Sequence, residues 1–385
     1  MARTIEINRD DTSHRPRAQR FQGAVMALSL VVGFGLGIAA IETPEGMKRL
    51  EAAQGMDAFL QGRTAAAINY ALAHHLPVDG FFRAAGGIFR WRLFHSGGPQ
   101  VWAGDNDWLY LIEEMRPWDN ADANMASRAA TLAKVAAKLK AQNIDLVVAI
   151  VPDKARVETE SMTGPRSAQA KARLPAWLDL LTSRGIKTVD LTPSFQSAPN
   201  RAALFWRTDT HWSQTGAAFA ARTIAANVST PIDRSHIFKT TEDAAETAGP
   251  GDLLRLMSLD KISDDLPIKL RPVIDHQHLA HTVEVKADDG GAGLLDDGPS
   301  VEVALVGSSY SVNANFAGYL QEALKAPLVN VAEAGGGFAR SAQHYFTGKT
   351  FGETKPKLVI WEIPERVVGQ PLVDDDKALE GWAEK

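Results

Sequence analysis

Val301-Glu302-Val303-Ala304-Leu305-Val306-Gly307-Ser308-Ser309-Tyr310-Ser311 sets the frame in which the rest of the chain is read. A Val-rich apolar run stops at a glycine. Small hydroxyl residues come next, and Asn313-Ala314-Asn315-Phe316-Ala317-Gly318-Tyr319-Leu320 then starts a helix. A buried strand that turns sharply into a helix holds a side chain at the carboxyl edge of a sheet, where open α/β folds keep their chemistry. Ser309, the third residue of Gly-x-Ser, is therefore a candidate nucleophile. A serine hydroxyl needs a base, and an imidazole base needs a carboxylate to orient it. Upstream, Arg207-Thr208-Asp209-Thr210-His211-Trp212-Ser213-Gln214-Thr215-Gly216 offers both, just ahead of another helix. Residues i and i+2 of an extended segment face the same way, so Asp209 can stand beside His211. Taken singly, Gly-x-Ser is common in tight turns, and Asp-x-His also suits a metal. Their shared place on one sheet edge is what joins them, and the expectation is that Ser309, His211 and Asp209 meet.

Outward from that stretch, helices alternate with short apolar strands. The pattern gives helices over 120–142, 167–183, 213–228 and 315–324. Strands are read at 145–152, 187–191, 301–306, 328–331 and 357–362. Continuous apolar strands separated by helices imply an α/β fold, a parallel sheet flanked by helices with right-handed crossovers. Residues 104–111 read as a turn and an aromatic strand, and 87–98 as loop-rich. The pattern dissolves between 229 and 299, an irregular excursion with one strand-like piece, His281–Val285. Gly335-Gly336-Gly337 reads as a tight loop near the site, since it lacks the dinucleotide spacing. His276-x-His278-x-x-His281 has only Asp275 as an acidic neighbour, so no metal is assigned. Glu362 and Arg366, at the end of the last strand, read as an ion pair or a surface feature.

The chain has 385 residues with 45% hydrophobic and 23% charged content, an ordinary globular composition. A net charge of -5 argues against nucleic acid as a partner. The absence of cysteine excludes disulfides, thiolate metal sites and a cysteine nucleophile. Gly23–Ile41 is an uncharged apolar run. At about 1.5 Å per residue it nearly spans a bilayer core of about 30 Å. Arg15, Arg17 and Arg20 precede it, so the tail 1–22 is expected in the cytoplasm and everything after Glu42 across the membrane. A cleaved signal peptide is the alternative; the long polar lead and the length of the run favour an uncleaved anchor. A helical membrane-proximal region then covers 42–103, the main domain 104–370, and an acidic tail 371–385.

The segments Thr208–Ser213 with Gly216, Val306–Ser311 and Trp361-Glu362-Ile363-Pro364-Glu365-Arg366 together resemble the alginate O-acetyltransferase family (AlgJ/AlgX), whose catalytic domain is SGNH-hydrolase-like. Val151–Val157 and Asp107–Leu111 are similar to its earlier blocks, and the likeness runs from about Gly104 to Arg366. The resemblance implies Ser309 as nucleophile, His211 as base and Asp209 as orienter. It also implies a motif order permuted relative to ordinary SGNH hydrolases. An N-terminal anchor and a short C-terminal remainder, without room for a carbohydrate-binding module, resemble the AlgJ branch.

The function this implies is that of a periplasmic O-acetyltransferase, held in the inner membrane, that acetylates hydroxyls of an alginate-like or other exopolysaccharide through an acetyl-serine. A carbohydrate acetyl esterase and a non-catalytic polysaccharide-binding component of a secretion complex are the alternatives. No cofactor is implied. The resemblance implies an MBOAT-type membrane acyltransferase as acetyl supplier, alongside other polysaccharide biosynthesis and secretion proteins. Trp212, Tyr310, Lys154 and Arg156 are the candidates for holding the sugar, the aromatics by stacking and the cations by pairing with a uronate.

Overall fold

Strands β1 Val101–Ala103, β2 Leu109–Leu111, β3 Asp145–Val151, β4 Thr188–Asp190, β5 Phe238–Ala248, β6 His276–Glu284, β7 Val303–Val306, β8 Leu328–Asn330 and β9 Leu358–Pro364 make up the sheets of the computed structural model. It describes residues 15–285 and 301–385, with side chains from 19. The Asp/Gly-rich piece 287–291 and most of the expected cytoplasmic tail lie outside the described residues.

The central sheet has five parallel strands in the order β4-β3-β9-β7-β8. The last strand in sequence is thus the middle one in space. Successive side chains of a strand point to opposite faces, and both faces here are covered. Val147, Ala149, Val151, Val303, Leu305, Leu358 and Ile360 enter one core. Val148, Ile150, Ala304, Val306, Val359, Trp361 and Ile363 enter the other. This is why these strands read as unbroken apolar runs. The helices Gln214–Ala226 and Phe316–Leu324 pack on the first face, and Ala121–Ala141, Ala168–Thr182 and Arg340–Thr347 on the second. All five strands point their carboxyl ends the same way. The ends of β3, β7 and β9 lie side by side where the order reverses, the usual place for a site.

The chain divides into two units, 1–86 and 87–385. The first holds the helix Arg15–Ile41, whose stretch Gln19–Ile41 contains an 18-residue window of mean hydropathy 2.4 and is long and apolar enough to cross a membrane. Beyond it the start of the helical membrane-proximal region forms three helices, Pro44–Ala52, Met56–Leu60 and Arg63–His74. Gly55 and Gly62 adopt positive φ between them, which breaks the run.

The second unit starts at 87. Residues 87–94, expected as loop, complete the helix Asp79–Phe94. Gly87 is there for close approach: a Cβ would meet the Met257 carbonyl oxygen at 2.4 Å. Trp91 packs with Leu253, Leu254 and Met257. That contact outweighs the helix cost of glycine, about 1 kcal/mol. The excursion 229–299 is also more ordered than its sequence suggests. β5 and β6 pair as an antiparallel ribbon. β5, FKTTEDAAETA, is exposed along most of its length, so it carries no apolar alternation to betray it.

Candidate active site

β7 ends at Val306, and the chain turns through Gly307-Ser308 into the short helix Ser309–Val312. The turn hangs from β9. Glu362, almost fully buried, accepts the Ser308 backbone N–H at 2.8 Å, the Ser308 hydroxyl at 3.0 Å and the Ser311 hydroxyl at 3.0 Å. Burial pushes the Glu362 carboxyl up, while these donors pull it back. Gly307 has no room for a side chain, since a Cβ would lie 2.6 Å from Ser311 Oγ and 2.7 Å from Glu362 Oε2.

The second loop, 204–213, folds back on itself. The Trp206 N–H donates to the His211 carbonyl and the Ser213 N–H to the Leu204 carbonyl. Ser213 caps the next helix by accepting the Gly216 N–H at 3.1 Å. A Cβ on Gly216 would lie 2.1 Å from the Leu204 carbonyl oxygen, so the motif's serine and glycine fix the loop to its helix.

These two loops bring the three expected residues together. Ser309 Oγ lies 2.7 Å from His211 Nε2, and His211 Nδ1 lies 2.6 Å from Asp209 Oδ1. Nδ1–H donates to the carboxylate, which leaves the Nε2 lone pair facing the hydroxyl. Asp209 Oδ1 also accepts the His211 backbone N–H at 2.9 Å, and Oδ2 accepts the Asp252 backbone N–H at 2.8 Å. Burial would raise the Asp209 carboxyl, but the imidazole and these N–H groups hold it down at about 2.

Asp252, at the start of the helix Asp252–Leu256, has no signal in the sequence because it lies in the patternless excursion. It accepts the Thr210 N–H and hydroxyl and stands 3.7 Å from His211 Nδ1. Burial and the charge of Asp209 push its carboxyl up. Asp209, His211 and Asp252 are close enough to hold a cation. Their hydrogen bonds to one another and to Thr210 already satisfy them as a proton relay does.

Of the four residues expected to hold the sugar, Trp212 borders the cavity beside His211, and Lys154, Arg156 and Tyr310 are taken up by protein partners. Lys154 is fully buried, and its Nζ donates to the carbonyls of Trp206, Arg207 and Asp209 at 2.5, 2.9 and 3.0 Å. Burial lowers its pKa to about 8. Arg156 forms a fork with Glu365 at 2.7 and 2.6 Å. Tyr310 is buried; its hydroxyl donates to the Thr210 carbonyl at 2.7 Å and accepts from Arg366 Nη1 at 3.0 Å. Trp212 is fully buried against Tyr310 and Phe316. All four are side-chain types that suit sugars, which is why the sequence points to them as ligand contacts. Lys154, Tyr310 and Trp212 instead hold the loop of Asp209 and His211, while Arg156 holds Glu365. Glu362 and Arg366 likewise do not form the expected ion pair: Glu362 serves the Ser308 turn and Arg366 serves Tyr310. Gly335 and Gly337 have positive φ, and the N–H of Glu333, just before that loop, donates to the Gly307 carbonyl at 3.1 Å.

Residues 101–365 match the family described as SGNH hydrolase-like domain, acetyltransferase AlgX. The chain is 33% identical over 313 residues to a Pseudomonas fluorescens protein named "probable alginate O-acetylase AlgJ", covering 80% of this chain and 78% of that one. The solved O-acetyltransferase domain of Pseudomonas putida AlgJ superposes with a TM-score of 0.64 at 30% identity, over 74% of this chain and 99% of that domain. The structure of Pseudomonas aeruginosa AlgX is similar in fold, with a TM-score of 0.51 at 23% identity over 69% of this chain and 62% of AlgX.

Proposed function

Because the chain belongs to the family of SGNH hydrolase-like acetyltransferase domains typified by AlgX, we propose that it is an O-acetyltransferase acting on hydroxyls of an exopolysaccharide, alginate or a related polymer, through an acetyl-Ser309 intermediate. One observation carries the mechanism: the relay Ser309–His211–Asp209, with contacts of 2.7 and 2.6 Å.

As Ser309 Oγ attacks the acetyl carbonyl carbon of the donor, His211 Nε2 takes the hydroxyl proton. Asp209 holds the imidazole tautomer and stabilises the imidazolium. His211 returns that proton to the departing group, leaving the acetyl-serine. The oxyanion formed at each step falls to the Ser309 N–H, which has no acceptor among the described residues. A sugar hydroxyl then attacks the acetyl carbon while His211 takes its proton. Ser309 Oγ leaves and recovers the proton.

The apolar helix at Gln19–Ile41 supports a membrane anchor, with arginines on the cytoplasmic side and the catalytic unit in the periplasm. An MBOAT-type membrane acyltransferase is the acetyl supplier of this reading, and an AlgX-type protein is a further partner. The test is the purified full-length protein in detergent with a chromogenic acetyl ester, with and without oligosaccharide. Transfer of acetyl to sugar that disappears in Ser309→Ala supports the reading. Hydrolysis without transfer identifies an esterase, and silence with glycan binding identifies a non-catalytic component.

A further inference from the structure

We infer that the helix Asp79–Phe94 and the segment tied to its end lie on the anionic surface of the membrane, a second lipid contact beyond the anchor; the inference takes from the proposed function only that anchor, as the reason a bilayer is at hand. The helix has two apolar sides. Gly87 and Trp91 are buried against Met257, Leu259 and their neighbours. Phe82, Phe89 and Leu93 recur at helical spacing on the opposite side, and each is more than half exposed. Phe94 is exposed too, with its ring 5.8 Å from that of Phe89. The pattern continues on a second element. Arg92 Nη1 donates to the Lys269 carbonyl at 3.0 Å, and next to Lys269 stand Leu266 and Ile268, both exposed. Single exposed apolar residues need no explanation, but a row of large ones along one side of a helix marks a surface that something covers.

Charge and chain path both select a bilayer as the occupant. By helical spacing Arg92 flanks the exposed apolar stripe on one side and Arg83 and Arg90 flank it on the other. Asp79 pairs with Arg83 at 2.5 Å. Arg92 is held by a neutral carbonyl and keeps its charge for a phosphate, and Lys269 adds a further exposed cation. The acids of the tied segment are turned inward, Asp264 to Arg271 at 2.6 Å and Asp265 to the Ser263 hydroxyl at 3.2 Å. Aromatic and aliphatic residues between arginines are what a helix lying in a lipid interface presents, the rings at the acyl boundary and the cations at the headgroups. The chain also keeps the start of this helix near a bilayer. The end of the apolar helix Gln19–Ile41 packs on the helix Arg63–His74, and Leu72 Cδ2 would lie 3.5 Å from a Cβ on Gly37. Only residues 75–78 separate His74 from Asp79, a reach of at most about 18 Å.

The chain has no cysteine, so one introduced thiol carries a spin label at a chosen site. Full-length Leu93→Cys is labelled and reconstituted in vesicles of phosphatidylethanolamine and phosphatidylglycerol. Its accessibility to oxygen, which concentrates in lipid, and to a water-soluble nickel chelate is compared with that of a label at Lys377→Cys, an exposed position on the last helix. The expected ratio of oxygen to chelate accessibility is at least tenfold higher at 93 than at 377. Arg90→Glu combined with Arg92→Glu should remove most of that difference, with circular dichroism confirming the fold, and so should phosphatidylcholine in place of the anionic lipid. A label at 93 as open to the chelate as the one at 377 overturns the inference. A label at 93 shielded from both reagents also overturns it, since a second copy or another protein then covers the face. Lipid contact indifferent to charge reversal and to lipid charge overturns the assignment to an anionic surface. A label at Leu30→Cys decides the anchor separately: found outside lipid it defeats the anchor, while the label at 93 still decides this inference in the same vesicles.

Discussion

Lys154 Nζ donates to the main-chain carbonyl of Asp209 at 3.0 Å, so a buried ammonium from the end of β3 holds the loop that carries the base and its carboxylate. The same nitrogen takes the carbonyls of Trp206 and Arg207. Three acceptors converge on one cation, which ties the geometry of His211 to a side chain that never reaches a ligand.

Replacing Lys154 by Met strands those carbonyls, at a cost of about 1–3 kcal/mol for each buried group left unpaired. Lys154→Met should lower the melting temperature and cut kcat more than KM, because His211 drifts from Ser309 while the cavity beside it survives. The pH dependence carries a second signature. Burial lowers the folded pKa to about 8, below the unfolded value of about 10.4. Between those values the unfolded state binds more protons, so stability gains on the order of 3 kcal/mol as pH rises through the window. Denaturant titrations at about pH 7.5 and about pH 10 should show that gain in the unaltered protein and lose it in Lys154→Met.

Asp209 is also depressed in the fold, so its slope with pH has the same sign, but at neutral pH its charge is a gain and not a cost. Its carboxyl, held near 2 in the fold against an unfolded value of about 3.9, contributes stability that is fully present above about pH 4 and lost as pH falls through 2. Asp209→Asn should remove on the order of 2–3 kcal/mol at neutral pH. It also presents an amide where the imidazole needs an acceptor. By the logic of triads, kcat on the acetyl ester should fall by about 10⁴ with KM little changed. Asp252 stands 3.7 Å from Nδ1 and can take that proton when residue 209 is small. Asp209→Ala should therefore keep more activity than Asp209→Ala combined with Asp252→Asn. Equal rates for the two would remove Asp252 from the relay.

The two motif glycines should differ in cost. A Cβ at Gly216 meets the Leu204 carbonyl oxygen, main chain that cannot swing away. At Gly307 it meets the Ser311 hydroxyl and the tip of Glu362, which can give way by losing their hydrogen bonds. Gly216→Ala should fail to accumulate as folded protein. Gly307→Ala should fold, with about 1–3 kcal/mol less stability and a kcat at least tenfold lower. Circular dichroism and ester hydrolysis measure both.

Whether a feature can be read in the sequence depends on how it encodes itself. The central strands are buried on both faces, so their residues are apolar without alternation and stand out. Ser309, His211 and Asp209 declare themselves because few side-chain types can perform nucleophile, base and orienter. The partners that position them do not. Glu362 and Asp252 are carboxylates like any other until the fold shows which N–H and O–H groups face them. Lys154, Arg156, Trp212 and Tyr310 suit both a sugar and a buried clamp, and only burial separates those uses. The helix through Gly87 and the polar strand β5 are illegible for a related reason, since a tertiary contact and a main-chain ladder hold them more than any local pattern does.

Glu362 offers the sharpest separation of stability from activity. Its burial raises the folded pKa above the unfolded one, so the folded state binds the proton more readily. Stability from this group falls as pH rises from the unfolded pKa through the folded one, and at neutral pH the buried charge is a cost offset by the Ser308 and Ser311 donors. Glu362→Gln removes that charge at nearly constant shape and keeps one carbonyl oxygen for the Ser308 N–H. Its amide nitrogen, however, takes the place of Oε1 and cannot accept from the Ser308 hydroxyl 3.1 Å away. The melting temperature should stay level or rise at about pH 7–8, while kcat falls at least tenfold because the turn no longer fixes Ser309 toward His211. Glu362→Ala loses both acceptors and opens a cavity, and should lose about 2 kcal/mol or more together with nearly all activity. A Gln variant that is as active as the unaltered protein would show that the turn is held by its own main chain and that the carboxylate beneath it is dispensable.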